Sequence, residues 1–100
     1  MTMLIIEKGE NKMAREVRAM KEYLYSKYGQ RCEVCGKEFD KDKLTAHHII
    51  MKSKGGEVTE DNILIACCNC HFGTINHIEY DSDEYWKLMR KSLAHRNEPR

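Results

Sequence analysis

Residues 46–71 read AHHIIMKSKGGEVTEDNILIACCNCH. The run holds His47, His48, Asn62, Cys67, Cys68, Cys70 and His71. Such a density of metal-binding side chains serves one of two ends: an ion that props up a small fold, or an ion that does chemistry. The same stretch has the pattern of a hairpin. Leu44 to Met51 reads as a strand bearing both histidines, KSKGGEVTEDN as a loop by its Gly-Gly, charge and Asx content, and Ile63 to Ala66 as a second short strand. A helix is expected to begin around Cys67 to Cys70 and to run toward Ile78.

Upstream lies a matching half-site. Cys32-x-x-Cys35 and Cys67-x-x-Cys70 are two knuckles of the spacing that offers two thiolates each to one tetrahedral zinc. Gly36, directly after the second cysteine, permits the positive φ by which the chain folds back around an ion. The segment between the knuckles exceeds the ~15–20 residues of a simple zinc ribbon, so the zinc would close a loop containing the histidine strand. Five cysteines is an odd number, and they form two tight groups rather than a scattered disulfide framework. In a reducing compartment that distribution favours metal over disulfide, with free buried cysteines and redox chemistry as the alternatives. Cys68 competes with Cys67 as a ligand; the CxxC spacing favours Cys67, and Cys68 reads as a small buried apolar residue.

The whole chain, 1–100, is expected to be a single domain with a core small enough to need a staple. Lys and Arg number 17 against 16 Asp and Glu, and the net charge of +1 makes no electrostatic case for a polyanionic partner by itself. No apolar run approaches membrane-spanning length, and MTMLII lacks the features of a signal peptide, so a soluble intracellular protein with no membrane partner is expected. Leu4 to Ile6 fits an edge strand or a docked arm. From Asn11, a candidate N-cap, to Tyr28 the residues Met13, Val17, Met20, Leu24 and Tyr28 recur at helical spacing, with Gly29 at the C-cap. Lys12, Arg15, Arg18 and Lys21 occupy its other face, as a solvated surface would. A last helix, about 82–95, has capping candidates Asp81 and Ser82, acids Asp83 and Glu84 in its first turn, and Tyr85, Leu88, Met89 and Leu93 on one side. NEPR reads as a frayed tail. The class is therefore α+β.

His77 and His95 take the ordinary reading of surface or satisfied side chains, His95 favouring a helix C-terminus. His47, His48 and His71 differ, because His71 directly follows a proposed zinc ligand. The order Cys-x-x-Cys, His-His, Gly-Gly loop, Asn-Ile, Cys-x-x-Cys-His resembles the HNH endonuclease family over Cys32 to about Ile75. That resemblance implies a ββα-metal finger: two strands, a loop and a helix around a catalytic ion, here flanked by an N-terminal and a C-terminal helix. It implies His48 as the general base, His47 and His71 as ligands of the catalytic divalent ion, and Asn62 as the residue that tethers the loop and orients the base. Cys32, Cys35, Cys67 and Cys70 match the subset of the family with a structural zinc. The chain has His at 47 where many members have Asp, and His at 71 where many have Asn. The plainer reading of Asn62 is an Asx turn or helix cap.

The resemblance implies a cytoplasmic bacterial or phage-type DNA endonuclease, leaving 5′-phosphate and 3′-hydroxyl ends. A monomer would nick; a homodimer would cut both strands. An imidazole with a pKa near 6.5 suits the activation of water, and a divalent ion suits the charge of a phosphodiester transition state. Two imidazole ligands favour Mn²⁺, Co²⁺, Ni²⁺ or Zn²⁺ over Mg²⁺. DNA contacts are expected largely with phosphates, from Arg31, Lys52, Lys54, Lys87, Arg90 and Lys91, with low or short-sequence specificity. A non-catalytic zinc-finger module binding nucleic acid or protein explains the cysteines equally well, but not the three histidines. Neighbouring strand residues point to opposite faces, so His47 and His48 can serve one phosphate only if the strand ends or twists sharply there.

Overall fold

The computed structural model describes residues 11–97; the expectations for Leu4 to Ile6 and for residues 98–100 lie outside them. The ILIAC run, which lacks polar alternation, is strand β2 (Ile63–Cys67), buried at every position. A strand covered on both faces has no side to give to water, so every position is apolar. Strand β1 (Leu44–His48) pairs with it antiparallel, Leu44 opposite Cys67 and His48 opposite Ile63. The two form the sheet, with helix α1 (Lys12–Tyr28) packed on β2 and the short helix α2 (Cys68–Gly73) following it directly. Helix α3 (Asp83–Arg96) closes the described fold. No described helix is long and apolar enough to cross a membrane. The architecture is the α+β, ββα-metal arrangement expected, with its flanking helices.

Capping follows the sequence closely. The Asn11 side chain accepts from the Ala14 amide, and Gly29, at φ 99°, ends α1 with its amide on the Tyr25 carbonyl. Ser82 accepts from the Tyr85 amide at the start of α3. Along α1, Leu24 and Tyr25 are buried, and Lys21 leaves the solvated face to donate to the Leu44 carbonyl at 3.2 Å.

Three boundaries differ from expectation. Strand β1 stops at His48 instead of Met51, because beyond Ile49 the Asn62 side chain takes the place of a partner strand, accepting from the Ile50 amide and donating to the Ile50 carbonyl. Helix α2 ends at Gly73, a poor helix former, and the chain continues through a 3₁₀ turn at Ile75–His77 that buries Ile75. Strand β2 extends one residue further, to Cys67.

The buried stripe of α3 is Tyr85, Met89, Ser92 and Arg96, two of them polar, while Leu88 and Leu93 lie only partly covered. Arg96 explains the stripe. Its Nε donates to Glu33 Oε2 at 2.7 Å and its Nη2 to Glu33 Oε1 at 2.8 Å, with both side chains 4% exposed. It also donates to the carbonyls of Ile63 and Glu60, at 2.7 and 2.8 Å. Glu33 in turn accepts from the Ile65 amide at 2.9 Å, and its own amide donates to the Ile65 carbonyl at 2.8 Å. One ion pair thus joins the first cysteine knuckle, β2 and α3. Because Glu33 is buried along with it, Arg96→Met leaves an uncompensated carboxylate, and a loss of about 3–5 kcal/mol is expected, read from the urea midpoint of the zinc-loaded protein.

Candidate metal centre and histidine site

The first knuckle hangs between Arg31 and Glu38, which form an isolated bridge. Within it, Gly36 sits at φ 82°, its amide bonded to the Cys32 carbonyl, and the Cys35 amide reaches Cys32 Sγ at 3.4 Å. The second knuckle spans the junction of β2 and α2. The Sγ atoms of Cys32, Cys35, Cys67 and Cys70 all lie within 4.8 Å of one another. A tetrahedral ion with Zn–S bonds of about 2.3 Å sets sulfurs roughly 3.8 Å apart, so small adjustments bring the set onto zinc. Burial raises the Cys32 thiol, but the amides of Cys35, Cys67 and Val34 outweigh it and hold the thiol below its ordinary value. Cys70 is pushed well up, by burial first and then by Cys67, Cys32 and Cys35. Four crowded thiols become four thiolates only around a cation. The cluster could hold a structural zinc.

Cys68 corrects an expectation. It is exposed, and its thiol points toward the Lys43 carbonyl at 3.6 Å. As the first residue of α2 it falls outside the buried strand that its neighbour Cys67 completes.

The pleat sends Thr45 and His47 toward α2, where the His47 and His71 rings meet edge to face at 5.2 Å between centroids. Since β1 is an edge strand that stops at His48, both of its faces border one depression of about 370 Å³, lined by His47, His48, His71, Met51, Lys52 and Ser53. The end of the strand therefore brings the two neighbouring histidines to a common hollow. His71 is stacked on its other side by Phe72, at 4.7 Å, and Phe72 is itself 55% exposed.

Burial pushes His47 down to about 4, with further contributions from His71 and His48. Burial also lowers His71, and it lowers His48 with help from the Lys52 charge. Neutral imidazoles keep lone pairs available, which suits ligands and a base. Among the described residues, His48 Nε2 is one of three buried side-chain atoms with no hydrogen-bond partner, the others being Tyr25 Oη and Ser92 Oγ.

Asn62 is 8% exposed and fully used. Its Oδ1 accepts from the Ile50 amide at 2.7 Å, and its Nδ2 donates to the carbonyls of Ile50 and Glu57 at 3.2 and 2.9 Å. The chain just after His48 is thereby pinned to the far end of the loop. Gly56 lies so close that an added Cβ would fall 1.8 Å from the Ile50 carbonyl oxygen and 2.9 Å from Asn62 Nδ2.

Of the basic residues, Lys52 borders the histidine depression, and Lys54 a neighbouring hollow with Ile50, Tyr80, Asp81 and Trp86. Lys87, Arg90 and Lys91 are exposed on α3. Arg31 is half-buried and engaged within the fold, donating to the carbonyls of Tyr28 and His95. His95 is likewise structural, its Nδ1 3.0 Å from the Glu33 carbonyl. Two residues beside the histidines carried no signal in the sequence: Thr45, 2.8 Å from His71 Nδ1, and Tyr85, 2.7 Å from His47 Nε2.

The tether makes two substitutions informative. Asn62→Asp turns two donated hydrogen bonds into contacts between a carboxylate and carbonyl oxygens, and a cost of about 1–3 kcal/mol is expected. Gly56→Ala, which meets backbone that cannot yield, should displace the loop. Both variants should leave the cysteine cluster's zinc content unchanged and shift the His48 ring resonances in NMR spectra; unchanged spectra would show that the tether does not hold His48.

No curated protein matches the chain. The family model of the HNH endonuclease matches residues 32–73, the span from the first cysteine knuckle to the end of α2. Over those residues, with their two antiparallel strands, loop and following helix, the chain is similar to the HNH endonuclease family.

Proposed function

We propose that the protein is a divalent-metal-dependent DNA endonuclease that hydrolyses phosphodiester bonds to 5′-phosphate and 3′-hydroxyl ends. The observation that carries the reading is the meeting of His47, His48 and His71 around one hollow, with His48 Nε2 buried and without a partner. In this reading His48 takes the proton of the attacking water. Asn62 holds the backbone beyond His48, so that the ring keeps its aim while the proton moves. His47 and His71 hold the catalytic ion, which when bound supplies charge stabilisation at the phosphate oxygens. The four cysteines hold zinc as a staple, and the thiols are kept reduced in a cytoplasmic setting.

The DNA backbone is held by phosphate neutralisation, with Lys52 beside the hollow and Lys54 next to it. Lys87, Arg90 and Lys91 on α3 extend the contact, and specificity is low or limited to a short sequence. One site per chain acts on one strand, so a monomer nicks and a homodimer cuts both strands. Two imidazole ligands favour Mn²⁺, with Co²⁺ or Ni²⁺ next and Mg²⁺ weaker.

Pure protein incubated with supercoiled plasmid and Mn²⁺ should give nicked circles, and EDTA should stop the reaction. His48→Ala should lower the rate about 10²–10⁴-fold with zinc content and unfolding midpoint retained, whereas Cys67→Ser should lose zinc and destabilise the domain. Absence of cleavage across several divalent ions would favour a non-catalytic zinc-finger binding module. Equal or faster cleavage in Mg²⁺ would contradict the two-imidazole site.

A further inference from the structure

Two hydroxyl groups stand behind the paired imidazoles. Tyr85 on α3 places its Oη 2.7 Å from His47 Nε2 and 2.7 Å from the Ile49 carbonyl oxygen. A phenol has one proton, and two oxygens at that separation need it between them. Tyr85 therefore donates to Ile49, and its oxygen can only accept from His47. The proton of the neutral His47 ring then sits on Nε2, and the lone pair is left on Nδ1.

Thr45 repeats the pattern on the other ring. Its Oγ1 donates to the Ala66 carbonyl at 2.8 Å and lies 2.8 Å from His71 Nδ1. By the same count His71 carries its proton on Nδ1 and its lone pair on Nε2. Each imidazole thus donates to a hydroxyl that is committed to a backbone carbonyl, and backbone carbonyls do not rotate away. Tyr85 is also locked as a side chain: it is 2% exposed and meets Tyr80 and Trp86 edge to face at 5.1 and 5.3 Å.

We infer that Tyr85 and Thr45 are positioning residues that fix the tautomers of His47 and His71, so that a divalent ion is taken through Nδ1 of His47 and Nε2 of His71. The inference rests on the reading of these histidines as ligands. It adds that the ion site draws on α3, beyond the residues 32–73 that match the family. Partners of this kind raise ligand basicity and hold ring orientation, and their loss weakens metal binding by roughly 10–100-fold.

The test uses the ¹⁵N-labelled, zinc-loaded full chain. Long-range ¹H–¹⁵N spectra should show His47 protonated on Nε2 and His71 on Nδ1. Tyr85→Phe and Thr45→Val keep the packing shape and remove one oxygen each; each should release the tautomer of its own histidine only and weaken Mn²⁺ binding roughly 10–100-fold, with zinc content retained. The opposite tautomers in the unmutated chain, or variants with unchanged tautomers and Mn²⁺ affinity, would overturn the inference. Should Tyr85→Phe fail to fold, the unmutated spectra and Thr45→Val decide. An unmutated chain that cleaves plasmid while both variants bind Mn²⁺ normally would leave the nuclease reading standing and remove the positioning roles. An unmutated chain whose histidine resonances ignore Mn²⁺ would remove both.

Discussion

The pair of Glu33 and Arg96 is the constraint on which the arrangement of parts depends. A buried ion pair adds little net stability over an apolar substitute, since removing two charges from water offsets most of their attraction. Its effect here is positional. Glu33 sits inside the first cysteine knuckle and grips the Ile65 amide, while Arg96 reaches from the last turn of α3 to Glu33 and to the carbonyls of Ile63 and Glu60. A shift of any one element breaks hydrogen bonds at buried groups. The register of β2 against the knuckle and the lie of α3 along the core are therefore fixed together, and with α3 comes Tyr85.

Two sites share one hairpin for a related reason. Cys67 ends β2 and Cys70 lies in α2, so an ion held by the four sulfurs fixes where the helix leaves the strand. His71 is the next residue, and its ring meets His47. On the other side of the hairpin, Asn62 fixes where β1 ends, and His48 is the last residue of that strand. The cluster and the tether act from opposite ends of β2, and the three histidines lie between.

What could be read in the sequence was whatever depends on short spacings: the CxxC pairs, the His-His and Cys-His dipeptides, the caps at Asn11 and Ser82, and the glycine after Cys35. These are local, and local geometry gives each a fixed consequence. The unread parts depend on contacts across the chain. Glu33 and Arg96 stand far apart in the chain, and nothing local marks two such residues as partners. Tyr85 counted only as an apolar position on a helix, and its hydroxyl mattered only once α3 lay against His47. Cys68, outside the CxxC pair, has the composition of a small buried apolar residue, yet the change from strand to helix at that residue turns it outward. Asn62 was identified, but that its side chain ends β1 early, at His48, follows only from its bonds to Ile50.

The proposed function requires two ions side by side, a structural one among four sulfurs and a catalytic one between two imidazoles. Anomalous scattering at the zinc and manganese edges, from crystals of the zinc-loaded protein grown with Mn²⁺, tests it directly. A zinc peak is expected among Cys32, Cys35, Cys67 and Cys70, and a separate manganese peak between His47 and His71. A manganese peak elsewhere with the histidines unliganded, or a zinc peak bound by His47, His48 and His71 in place of the cysteines, would contradict it.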